Sequence, residues 1–173
     1  LQYLPRRDGS SVFNRSVSAL KLDRGGNMWI GTSNGLNFVN PRGEPIKLIN
    51  EESSVRGLLS HDRIASLANS RKGNVYIGTD GGGIDLYNAS TGKIKAFASS
   101  DQSGLSNDYV LALREDSKGR LWAGTYKGGL NKLQNGKWSH YLQESQAAGN
   151  DVRAIFEDTS TNIWVGTNRG GLY

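Results

Sequence analysis

One short pattern occurs four times in this chain of 173 residues: "NMWIGTSNGL" from Asn27, "NVYIGTDGGGI" from Asn74, "RLWAGTYKGGL" from Arg120 and "NIWVGTNRGGL" from Asn162. Aligned on the glycines of their Gly-Thr pairs (Gly31, Gly78, Gly124 and Gly166), the copies stand 47, 46 and 42 residues apart. A repeat of this period restricts the fold to stacked units, each burying its apolar face against the next. Helical solenoids and four-stranded propeller blades share the period, and the pattern inside the unit separates them. Every unit consists of short β-rich runs between glycine turns, and no window offers two uninterrupted turns of apolar i, i+3, i+4 spacing. The chain is therefore predicted to be all-β, a β-propeller of four-stranded antiparallel blades, about four of them here and part of a larger propeller.

Each unit opens on a run beginning at Val17, Ile64, Val110 or Val152. Two places on stands a small residue (Ala19, Ser66, Ala112, Ala154), and three places on an aliphatic one (Leu20, Leu67, Leu113, Ile155). Because side chains alternate faces along a strand, this predicts an innermost strand A, buried on both sides and crowded on one. The turn "DRGG", "SRKG", "DSKG" or "DTST" follows. Its Asp or Ser caps the turn's own backbone, and Gly26, Gly73 and Gly119 accept the conformation a tight hairpin needs. Thr161 holds that place in the fourth unit, so its turn is expected to be looser or shifted onto Asn162.

In strand B the rings of Trp29, Tyr76, Trp122 and Trp164 lie two residues before Gly31, Gly78, Gly124 and Gly166, on the same face. Each ring is expected to pack on a neighbouring blade while the glycine admits close backbone approach. Strand C starts at Leu36, Ile84, Leu130 and Leu172, and the more polar runs "PIKLI", "KIKAF" and "KWSHY" read as outer strands D. Residues 1–7, "LQYLPRR", fit the outer strand of a preceding blade. The predicted units are thus 1–7, then blades at 17–50, 64–98 and 110–142, and the start of a further blade at 152–173. An opening on Leu1 and a stop directly after "GGL", where the earlier copies continue, are expected of a segment of a longer protein.

The sequence contains no cysteine, which removes disulfides, thiolate metal sites and thiol catalysis. Its net charge of +5 has one dense spot, Arg6-Arg7, with the other cations spread through turns, so no nucleic-acid footprint is expected. No apolar run is long enough to span a membrane as a helix. Walker A, G-x-S-x-G, H-E-x-x-H and EF-hand patterns are absent. His61 falls in a D-to-A connection and His140 in an outer strand, and Asp23, Asp116 and Asp158 share one turn slot in different blades, so capping is their expected role. D-x-x-G-x-x-W is similar to the sialidase Asp box, but its loop between aspartate and tryptophan is longer. Three classes remain: a ligand-sensing propeller, a non-catalytic interaction or dimerisation propeller, and a glycan-cleaving or lyase-type propeller enzyme.

The composite unit V-x-x-[IL]-x-x-D-x-x-G-x-[LIM]-W-[IVA]-G-T-x-x-G-G-L, with "GLSNDYV" (Gly104 to Val110) leading into strand A, resembles the two-component regulator propeller repeat. "DSKGRLWAGTYKGGL" (Asp116 to Leu130) matches it continuously; Tyr76, Ser70 and Thr161 are departures in single units. The resemblance implies the periplasmic sensor region of a hybrid two-component histidine kinase of the Bacteroides type. It also implies a glycan-derived ligand and a membrane attachment outside this segment.

Positions that agree across the units are explained by packing, so a site is sought where they disagree. In a blade running A down, B up, C down and D up, the D-to-A and B-to-C connections share one face. The candidate binding residues there are Arg15, His61, Arg63, Asn107 and Tyr109, joined by Asp80, Tyr126, Lys127 and Arg169, a set suited to a hydroxylated, acidic sugar. An oligosaccharide is the expected partner. Exposed terminal blades suggest a homo-oligomer, and no cofactor, metal or nucleic acid is expected.

Overall fold

The computed structural model describes residues 12–40, 46–50, 59–100, 104–143 and 150–173. The proposed outer strand at 1–7 lies outside them. Among the described residues fifteen strands form four antiparallel sheets, each with its strands in chain order. The first blade contains β1 (Val17–Leu22), β2 (Met28–Thr32), β3 (Gly35–Val39) and β4 (Lys47–Ile49). The second contains β5 (Ile64–Asn69), β6 (Val75–Thr79), β7 (Ile84–Tyr87) and β8 (Ile94–Phe97). The third contains β9 (Val110–Glu115), β10 (Leu121–Thr125), β11 (Gly129–Gln134) and β12 (Lys137–Tyr141). The fourth is three-stranded, β13 (Val152–Glu157), β14 (Ile163–Thr167) and β15 (Gly171–Leu172). The inner strands pack in the order β1, β5, β9, β13. The chain is an all-β propeller of four blades.

The core is divided into three clusters, one at each joint between successive blades. Trp29 and Leu36 of the first blade meet Ile64 and Ile77 of the second, and Ile84 meets Val110 and Leu121 of the third. Trp122 and Leu130 meet Val152 and Val165 of the fourth. The conserved geometry of these joints explains the strand B glycines. A Cβ built on Gly31 would lie 2.6 Å from Cγ2 of Ile64, one on Gly78 2.9 Å from Cγ1 of Val110, and one on Gly124 2.9 Å from Cβ of Val152. Each β-branched residue that opens a strand A is therefore seated in a notch of the preceding blade. The notch floor is the glycine together with the small residue paired to it across the sheet, Ala19 with Gly31, Ser66 with Gly78 and Ala112 with Gly124.

Two expectations for strand A need correction. Regular pairing is interrupted, because in each blade the register slips at the second residue, as in Ile64↔Thr79 followed by Ser66↔Gly78. This is a β-bulge at Ser18, Ala65, Leu111 and Arg153, and a bulge re-aims the unpaired residue. In β5 one face is buried and the other half-buried, and β9 follows it less fully, whereas most of β1 and β13 is exposed, each having a neighbouring blade on one side only among the described residues. The rings follow the same logic. Trp29 and Trp122 are buried and Tyr76 packs into the joint between the second and third blades, but Trp164 is 43% exposed.

The turn aspartate does more than cap its turn. Asp116 Oδ1 accepts from the N–H groups of Lys118 and Arg120, and Oδ2 accepts from Trp122 Nε1 at 2.7 Å. Asp23 and Asp158 hold Trp29 and Trp164 in the same way, at 2.9 Å each. The bonds from Trp164 and Asn162 hold the Asp158 carboxyl down at about 2. In the second blade aspartate and tryptophan change together, to Ser70 and Tyr76, so the two departures are one. The Thr of each Gly-Thr pair clasps the next turn: Thr32, Thr79, Thr125 and Thr167 donate to the carbonyls of Gly35, Gly83, Gly129 and Gly171 at 2.8–3.1 Å.

Thr161 does not loosen its turn or pass the strain to Asn162. It takes φ 66° itself and keeps the N–H to Asp158 carbonyl bond at 3.1 Å that Gly26, Gly73 and Gly119 make elsewhere. A β-branched residue in this region is strained by about 1–2 kcal/mol, partly offset by the greater freedom of glycine in the unfolded chain. Thr161→Gly is therefore expected to stabilise the protein by about 0.5–1 kcal/mol, read as a higher denaturation midpoint.

Candidate functional site

The D-to-A leaders and B-to-C turns meet on one face through a repeated backbone bond. In each blade the residue before strand A accepts from the residue after the Gly-Thr pair: Ser33 N–H to Ser16, Asp80 to Arg63, Tyr126 to Tyr109 and Asn168 to Asp151, at 2.8–3.3 Å. The leaders are anchored from below by a buried polar residue of strand C. Asn37 Oδ1 accepts from the Phe13 N–H at 3.0 Å and Asn131 Oδ1 from the Ser106 N–H at 2.9 Å. Asp85 accepts from both the N–H and the hydroxyl of Ser60, at 2.8 and 2.6 Å. Burial pushes the Asp85 carboxyl above its ordinary range, and the Ser60 bonds offset only part of that. These bonds tie the described ends of the first three leaders to strand C and form a platform there.

On this platform lies a groove of about 520 Å³, lined by Asp80, Asn107, Tyr109, Leu111, Tyr126, Lys127 and Arg153. It draws on three successive blades. Tyr109 and Tyr126 are exposed, with ring centroids 6.3 Å apart and planes at 66°. Lys127 Nζ stands 5.1 Å from the Tyr126 ring centre, and no carboxylate among the described residues lies within ion-pair distance of it. Arg153 is held by Asp151, Nη2 donating to Oδ2 at 3.0 Å and Nε 2.9 Å from Oδ1. Asp80 lies 3.3 Å from Arg63 Nη1. Lys127 has φ 55° and Arg169 φ 74°, at the turn place where the second blade has Gly81. A non-glycine residue held in the left-handed region is a strained feature of the kind that clusters at binding sites.

Of the nine candidate residues, the structure brings Asn107, Tyr109, Asp80, Tyr126 and Lys127 together in the groove, with Arg63 reaching it through Asp80. Arg15 and Arg169 are exposed on their own loops and do not line it. His61 is also outside the lining, and its Nδ1 accepts from the Arg63 N–H at 3.0 Å. Asn107 caps its leader likewise, its carbonyl oxygen accepting from the Tyr109 N–H at 2.9 Å. Sequence reasoning missed Leu111 and Arg153. Both are bulge residues, and the signal was that the second place of strand A is chemically unmatched across the units: Ser18, Ala65, Leu111, Arg153. Among the described residues no group of three or more His, Asp or Glu is placed to hold a metal ion.

Comparison with known proteins agrees with this architecture. Residues 11–34, 104–127 and 147–169 match the family model of the two-component regulator propeller. The extracellular domain of BT4673 from B. thetaiotaomicron, described as a hybrid two-component system, superposes with a TM-score of 0.73 at 22% identity, over 96% of this chain and 24% of that one. The corresponding domain of BT3049 gives a TM-score of 0.55 at 21% identity, over 99% of this chain and 30% of that one. A virginiamycin B lyase from Staphylococcus aureus gives 0.64 at 15% identity, over 96% and 52%. This chain thus spans between about a quarter and a third of the two-component structures, and at these identities the likeness is one of fold. No curated protein matches the chain. The two-component regulator propeller model thus matches segments of the first, third and fourth repeats, and the chain is similar to that family over those segments.

Proposed function

We propose that this propeller is an extracytoplasmic ligand-sensing segment of a two-component signalling protein, and that the groove over the second, third and fourth blades takes up a glycan-derived ligand. The observation that carries this reading is the groove itself: two exposed tyrosine rings beside Lys127, which sits at φ 55° and has no carboxylate within ion-pair distance among the described residues. Sugar rings stack on tyrosine faces, amide and guanidinium groups satisfy hydroxyls, and Lys127 suits a carboxylate or sulfate substituent. The loops are anchored and the lining spans three blades, so a bound ligand would bear on how those blades pack. Such a ligand biases a receptor only through unequal affinity for its two arrangements.

Titration calorimetry with acidic and neutral oligosaccharides tests the proposal. Tyr126→Ala is expected to weaken binding of both classes at least tenfold, and Lys127→Gln to weaken acidic ligands by about tenfold while leaving neutral ones little changed, as loss of one charge-assisted contact implies. Binding unchanged in both variants would place the site elsewhere. A lyase-type enzyme is the reading the S. aureus comparison would favour, but the groove has no histidine in its lining and its carboxylate Asp80 is ion-paired to Arg63. Binding without turnover is accordingly the expected result.

A further inference from the structure

The joint between the first and second blades and the joint between the second and third use the same places of the repeat, but they close differently at the outer rim. At the second joint the outer strands meet ring on ring: Phe97 of β8 and Trp138 of β12 have centroids 6.2 Å apart and planes at 76°. Trp138 pairs with Leu133 across its sheet and, with Tyr76 and Phe97, packs on the core of that joint. The register carries these places to the first joint, where Ile49 stands for Phe97, Ile94 for Trp138 and Tyr87 for Leu133. The rings there lie on inner strands instead. Trp29 of β2 is buried, with the rings of Phe38 of β3 and Tyr87 of β7 centred 4.7 and 5.3 Å from its own. Against them lies a cleft of about 560 Å³, lined also by Leu48, Ile49 and the exposed Ala89. Its other lining residues, Asn27, Asn40 and Lys47, all belong to the first blade. Both blades that form the cleft have four strands.

We propose that this cleft binds a small planar aromatic compound of indole size, its ring taking the part at the first joint that Trp138 plays at the second. The occupant is read from the second joint, where the outer end is closed by an indole set edge to face against the ring of the neighbouring blade. At the first joint Trp29, Phe38 and Tyr87 offer the faces and edges on which such a ring packs. A monosaccharide carries hydroxyls all round its ring, and apart from the Tyr87 hydroxyl it would meet polar side chains only from the first blade. Hydroxyls buried without a partner are costly, whereas a planar aromatic needs a polar partner at one edge at most. The cleft shares no residue with the groove on the loop face and does not depend on the reading of that groove. Because its walls belong to two blades, a bound ring ties the first to the second, and occupancy stabilises the folded chain by mass action.

Indole itself is the probe, read by thermal melts over an indole series and by calorimetry. In the parent the melting midpoint is expected to rise with indole concentration and the heats to fit one site. Ile94→Trp supplies the ring from the chain, as Trp138 does at the second joint, and should abolish both responses. Ala89→Trp blocks the same cleft from an exposed turn position, so it should melt as the parent does without indole and gain nothing from it. Tyr126→Ala, which alters the groove on the loop face, should leave the indole response unchanged. Glucose in place of indole should leave the parent's midpoint and heats unmoved. A parent indifferent to indole up to its solubility limit overturns the proposal, as does binding that survives both Ile94→Trp and Ala89→Trp. A glucose response that those two variants abolish would overturn the choice of an aromatic occupant.

Discussion

Gly124→Val is expected to cost about 3 kcal/mol or more, the upper end for overpacking, whereas Gly166→Val should change stability by less than about 0.5 kcal/mol. The two glycines occupy the same place in the repeat, two residues after a tryptophan, and differ only in what faces them. At Gly124 a new Cβ would lie 2.9 Å from Cβ of Val152 and 3.0 Å from its carbonyl oxygen, so relief requires the backbone of the fourth blade to move. At Gly166 the corresponding space is open. Urea denaturation of the two variants side by side measures the difference. Equal midpoints would mean that the joint between blades yields easily and that the glycines have another purpose.

This contrast shows where the sequence was legible. Period, strand starts and the pairing of ring with glycine are properties of one blade repeated, and four copies average out the weakness of any single propensity. What one blade does to the next was harder to read. The bulge at Ser18, Ala65, Leu111 and Arg153 leaves no common residue type as a mark, because a bulged side chain is released from the packing that makes its neighbours agree. The seating of Val152 over Gly124 likewise depends on residues far apart in the chain. Exposure of Trp164 could not follow from its own unit at all, since that unit is the same whether or not another blade covers it. For the groove, searching where the repeats disagree found Tyr109, Tyr126, Lys127, Asn107 and Asp80. It also drew in Arg15, His61 and Arg169, because disagreement marks freedom from packing and does not by itself say which loops converge.

Trp122→Ala is expected to destabilise the protein by roughly 3–5 kcal/mol, the range for removing a large aromatic from a core, and Trp164→Ala by less than about 1 kcal/mol. Trp122 is 8% exposed and packs among Leu130, Val152 and Val165, whereas Trp164 is 43% exposed. The larger effect includes an electrostatic part. Burial pushes the Asp116 carboxyl up, but the bonds from Trp122 and Arg120 and the charge of Arg120 outweigh it and hold the group below its usual range. A carboxyl lowered on folding stabilises the native state fully above its unfolded value near ~4, and that contribution is lost as pH falls through the lower native value. Trp122→Ala removes one of the bonds responsible, so the variant should lose less stability on acidification than the parent does. Trp122→Phe keeps most of the packed volume while deleting the indole N–H. It should therefore cost about 1–3 kcal/mol at neutral pH, the price of an under-satisfied buried carboxylate, with most of that difference gone once Asp116 is protonated in both proteins. Thermal melts of parent and both variants between neutral and acid pH separate the terms. A Trp122→Phe deficit that is the same at every pH would show that packing alone, and not the aspartate, fixes the ring.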